Sequence, residues 1–154
     1  MEINSQVIFA LNRMVDVNTK RSNRYKSLSD KSRELEMKLF FIQYAVQAET
    51  FTVTLNKWRH AYGAPSHTTK KESLFNTTAS QLKKMIGGRS YELKECEEME
   101  SNAIKTYKIA LALSFLPTST IEDITMQSKE LEKVQYTLKA LRENGAHQWQ
   151  AAFA

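Results

Sequence analysis

The chain has 154 residues, enough for one domain with a sizeable core, and its 42% hydrophobic and 25% charged residues exclude a disordered polymer. Only 4 glycines and 2 prolines are present, too few turn formers for a many-stranded sandwich or barrel, so the expected class is all-α. The net charge of +5 is uneven: residues 1–89 carry 15 basic and 7 acidic groups, residues 90–154 carry 7 and 10, which marks either an anion-binding face or two helical hairpins that attract each other.

In chain order, the first predicted element covers residues 3–29. Ile3, Val7, Leu11, Met14, Val15, Tyr25 and Leu28 recur at helical spacing, with Asn18 and Ser22 inside the same stripe. After "SLSDKS" a second stripe runs Met37, Phe41, Tyr44, Ala48, Phe51, Leu55, Trp58, Tyr62, and its aromatic content makes it the expected centre of the core. "YGAP" ends it, because Gly63 can take the left-handed conformation and Pro65 cannot continue a helix.

Residues 72–86 form a shorter amphipathic piece closed by Gly87 and Gly88, expected as a short crossover helix lying on the bundle. Ser90 offers an N-cap for helix three, whose inward stripe is Leu93, Cys96, Met99, Ala103, Tyr107 and Ala110 and whose stop is Pro117. Helix four opens on a capping box, Ser119 preceding Glu122 by three residues, and continues with Ile121, Ile124, Ser128, Leu131, Val134 or Gln135, Leu138 and Leu141. Two antiparallel hairpins joined by a crossover make a four-helix bundle over residues 1–144, followed by a tail at 145–154. In the tail Trp149 and Phe153 stand four apart, and they either fray as a terminus does or dock on the bundle or on a second subunit.

Taken together, "VIFALNRMVDVN" and "RYK" on helix one, "QYAVQAETFTVTL" and "YGAP" on helix two, the "IGG" turn, "ECEEMESNAIKTYKIAL" on helix three and "LKALRE" on helix four resemble a bacterial ferritin-like four-helix-bundle family catalogued as a domain of unknown function. The resemblance covers residues 5–143 and implies a ferritin-like fold and self-association, not a reaction. Arg21 and Arg24 fill two helix-one positions where the family often has glycine. Thr54 stands where it commonly has a glutamate, and Gln135 where it usually has a histidine. Each change removes a potential ligand or a close backbone approach.

Ferritin-type metal chemistry needs inward carboxylates and, on two helices, a histidine three residues after a glutamate. His60, His67 and His147 follow Lys57, Ala64 and Asn144 at that spacing, so no such pair exists. Among the glutamates of "ECEEME", helical phase puts Glu95 and Glu98 on the polar face, Glu97 at its border and Glu100 toward the apolar stripe. Glu100 is then either a carboxylate hydrogen-bonded to a neighbour such as Asn18, Tyr25 or Gln135, or a metal ligand together with Glu49; burial demands a partner in both cases. Glu49 otherwise pairs with a basic neighbour at the edge of its helix. Cys96 at a core position reads as an apolar filler, not a nucleophile.

A lone cysteine and an N-terminus without a signal-peptide pattern point to the cytoplasm. No apolar run approaches the ~18 residues that span a bilayer. "KRSNRYK" mixes basic and aromatic residues, but Tyr25 falls on the core stripe, so nucleic acid is not an expected partner. No phosphate loop, nucleophile elbow or catalytic triad pattern is present. The reading is a non-enzymatic bundle without cofactor that acts through protein contact, most simply as a homodimer. The alternative is a metal-binding bundle with an all-carboxylate site.

Overall fold

Long runs free of glycine and proline set the architecture, and the few breakers set its corners. The computed structural model describes residues 2–65 and 77–144, which form four helices: α1 (Glu2–Lys31), α2 (Leu35–Ala61), α3 (Thr77–Leu111) and α4 (Thr118–Asn144). The protein is an all-α four-helix bundle. The tail with Trp149 and Phe153, and residues 66–76, lie outside the described residues. No described helix is long and apolar enough to cross a membrane.

Cross-helix pairs give the direction of each helix. Asn18, Arg21 and Arg24 on α1 meet Tyr107, Glu100 and Glu95 on α3, so these two run antiparallel. Arg59 near the end of α2 meets Asn12 near the start of α1, and Trp58 on α2 meets Asp123 on α4. The order is therefore up, down, down, up. The α1–α2 and α3–α4 connections are short, whereas Tyr62 and Arg89 lie at opposite ends of the bundle, Arg89 pairing with Glu34 at the α1–α2 turn.

The end of α2 is a Schellman motif. Ala64 N donates to Arg59 O at 2.9 Å and Gly63 N to His60 O at 3.0 Å, and Gly63 sits at φ 76°, where a side chain would be strained. Pro65 follows, and its carbonyl accepts from Arg59 Nη2 at 2.6 Å.

The break expected at the glycine pair is present, and helix three departs from expectation at its far end. The segment Thr77–Leu111 is two helices that meet at Gly88, whose φ 58° and ψ −144° are not helical, so the glycine closes the piece that precedes it and helix three runs on beyond. At the other end α3 stops at Leu111, well before Pro117. Leu116 is buried and Leu113 and Phe115 pack partly against the same cluster, so folding these apolar residues over the bundle end replaces the last turns of helix. Likewise α4 starts at Thr118, with Ile121 N donating to Pro117 O, so Ser119 lies inside the first turn and not ahead of it.

The core has two apolar parts. One gathers Val7, Leu11, Met14, Phe51, Leu55, Tyr107, Ile124 and Leu131; the other gathers Tyr25, Leu28, Phe40, Phe41, Leu93, Cys96, Leu138 and Leu141. In the second, Phe40 and Tyr44 meet edge to face at 5.1 Å, a favoured aromatic geometry. On α2 the burial takes in Phe40, Ala45 and Arg59 as well as the expected stripe, while Tyr44, Trp58 and Tyr62 are half-buried. At the open end of α1, Ile3 is exposed.

Candidate functional site

Between the two apolar clusters lies a layer of buried polar side chains to which all four helices contribute. Arg21 on α1 and Glu100 on α3, both fully buried, form its centre: Arg21 Nε donates to the two carboxylate oxygens at 2.8 and 3.0 Å. Tyr25, one turn further along α1, donates its hydroxyl to Glu100 Oε1 at 2.5 Å. From the other side of the guanidinium, Nη1 donates to Asn18 Oδ1 at 3.0 Å and Nη2 to Gln47 Oε1 on α2 at 2.7 Å.

The layer continues through Asn18. Its Nδ2 donates to Met14 O at 2.9 Å and to the Tyr107 hydroxyl at 2.7 Å; Tyr107 donates to Gln127 Oε1 on α4 at 2.5 Å. Gln127 Nε2 then donates to Phe51 O at 3.4 Å. The i, i+3 and i, i+4 spacing of Asn18, Arg21 and Tyr25 puts all three on one face of α1, and Phe51 and Tyr25 flank the guanidinium at 5.9 and 5.8 Å from ring centre.

This surrounding fixes the electrostatics. Loss of water pushes the Glu100 carboxyl above its ordinary range, while the Arg21 guanidinium and the Tyr25 hydroxyl pull it back. Burial first, and then the Glu100 charge, push the Tyr25 hydroxyl well up; burial does the same to Tyr107. Both phenols stay neutral donors. The Cys96 thiol is pushed up to about 12 by burial, which leaves no nucleophilic thiolate near neutral pH.

Two more glutamates of helix three, Glu95 and Glu97, face cations. Arg24 pairs with Glu95, which thus sits half-buried at the α1–α3 seam and not on an open polar face. Arg142 on α4 pairs with Glu97, and Glu98 is exposed. The basic first hairpin and two glutamates of α3 therefore meet through Arg21 and Arg24. Glu49 is exposed and paired with Lys26 and Ser22; Lys26 holds its carboxyl below the usual range. Gln135 is half-buried and donates to Glu97 O at 3.4 Å, so it belongs to the rim and not to the layer.

Glu49 and Glu100 do not fit a metal site. Glu49 is on the surface holding Lys26, and both Glu100 oxygens are taken by Arg21, whose guanidinium stands where a bound cation would. Among the described residues no three His, Cys, Asp or Glu side chains gather closely enough to hold an ion. Arg21 donates from all three of its nitrogens to neighbours inside the protein, so the layer presents no idle acid, base or nucleophile.

Three members of the layer went unread in the sequence. In the sequence Arg21 stands out only as a departure from a family pattern, and Gln47 and Gln127 carry no signal beyond lying near an apolar stripe. Arg59, buried and donating to Asn12, Asn56 and Pro65, was likewise missed. The missed signal for both arginines was phase: each stands three or four residues from a core position on its own helix. A separate apolar groove of about 320 Å³ lies between α1 and α3, lined by Phe9, Ala10, Ile109, Ala110 and Leu113, with Arg13 at its rim. No family model matches the chain, and no curated protein matches it.

Proposed function

We propose that this chain is a ferritin-like bundle protein without a catalytic centre, which works by protein contact and most simply as a homodimer. The observation that carries the reading is the Arg21–Glu100 pair. Ferritin-like bundles have one long crossover and place their metal ligands on inward faces of the helices. The up, down, down, up order agrees with that arrangement, and the inward carboxylate of α3 holds an arginine from α1 in place of an ion. The motifs on all four helices that resemble the bacterial family of unknown function support the same assignment, and the single cysteine supports a cytoplasmic location.

An all-carboxylate metal site on Glu49 and Glu100 has no support in the geometry. Elemental analysis of protein purified without a chelating tag tests the choice. The expected result is no stoichiometric iron, manganese or zinc and no ferroxidase activity; two metals per chain would sink the proposal.

A further inference from the structure

Leu35, Leu39, Ile42, Val46 and Val53 form one row on the outer face of α2 and are 68%, 51%, 38%, 54% and 71% exposed. Their steps of four, three and four, then seven, follow the 3.5-residue period by which one helix packs along another, with Glu49 in the one place left between Val46 and Val53. The opposite face of α2 already supplies Phe40, Phe41, Ala48, Phe51 and Leu55 to the core. Folding of the bundle therefore does not use the outer row, and a row of this regularity is a seam for a further helix.

Resting on the self-association reading above, we propose that this seam pairs α2 of two copies of the chain, antiparallel, about a two-fold axis at the level of Tyr44. A two-fold contact must be self-complementary. Reversal about residue 44 sets Leu35 against Val53, Ile42 against Val46 and Leu39 against Glu49 of the second copy, so every place in the row meets another place in it. Charge selects the direction. A parallel pair would set Glu49, with the Lys26 it holds, against its own copy in one layer, whereas the antiparallel pair separates the two glutamates and brings each beside a second cation, Lys38 of the second copy. The paired length, Leu35 to Val53, is about 27 Å at 1.5 Å per residue.

Light scattering of the intact chain and of Val46→Glu tests this. The wild type is expected at twice 17.8 kDa and the variant at 17.8 kDa with unchanged helical circular dichroism, and the denaturation midpoint should rise with protein concentration for the wild type but not for the variant. If Val46→Glu and Ile42→Glu both remain dimeric, this face is not the interface, although self-association itself stands. A monomeric wild type overturns both. Oxidising a refolded mixture of Ile42→Cys and Val46→Cys chains then tests direction: antiparallel pairing yields the mixed disulfide, and a dominant self-disulfide of either variant overturns it. Cys96 is fully buried and does not compete.

Discussion

Arg21 and Glu100 are 79 residues apart in the chain and in direct contact in the fold, Nε to carboxylate at 2.8 Å, with neither side chain exposed to solvent. A buried pair of this kind does not stabilise by its attraction alone, because desolvation of two ions costs several kcal/mol each. What it does is make each partner indispensable to the other. Removing one strands a charge; removing both does not.

The first expected outcome is therefore non-additivity. Arg21→Met and Glu100→Leu should each cost about 3–5 kcal/mol in chemical denaturation, as loss of one partner of a buried pair does. The double variant should cost far less than their sum. Additive losses would mean that the two side chains do not act as a unit.

A second comparison uses Glu100 alone. Glu100→Gln keeps an acceptor for Arg21 and Tyr25, whereas Glu100→Leu leaves both donors unpaired in the core. The amide variant should be clearly the more stable of the two by denaturation midpoint. Equal midpoints would show that Tyr25 and Arg21 find other acceptors.

Phe51 tests the apolar half of the core. It is only 6% exposed, packs with Val7, Leu11 and Leu55, and lies beside the Arg21 guanidinium. Phe51→Ala should cost about 3–5 kcal/mol, the range of large aromatic truncations. An unchanged midpoint would place the residue outside the core.

Cys96 offers a chemical readout of the same packing. With the thiol buried and pushed up to about 12, a disulfide reagent at neutral pH should label it only as the protein unfolds. The labelling rate in native buffer should be orders of magnitude below that in denaturant. Rapid native labelling would show that the α1–α3 seam opens locally.

Much of the fold is a local property and could be read from the chain. Helical periodicity needs only neighbours within two turns, so the stripes of α1, α2 and α4 were visible, as was the stop at Gly63 and Pro65, whose Schellman hydrogen bonds close within six residues. Helical phase also put Glu100 on the inward side of its helix. Where local rules failed, a tertiary gain had overruled them. α3 ends at Leu111, ahead of Pro117, where Leu116 is buried over the bundle end.

Arg21 was decided only by the tertiary structure. By composition an arginine belongs at the surface, and although Asn18 and Tyr25 put its helical phase inward, phase alone does not supply the partners a buried charge needs. Its place became favourable once α3 lay antiparallel to α1 and α2 packed beside it, which added the Glu100 carboxylate and Gln47 to the Asn18 that α1 itself supplies three residues away. Contacts 79 residues apart have no periodicity to betray them. The helices and their faces were thus determined by sequence alone, while the direction of α3, and with it the polar layer that closes the interior, depended on which faces met.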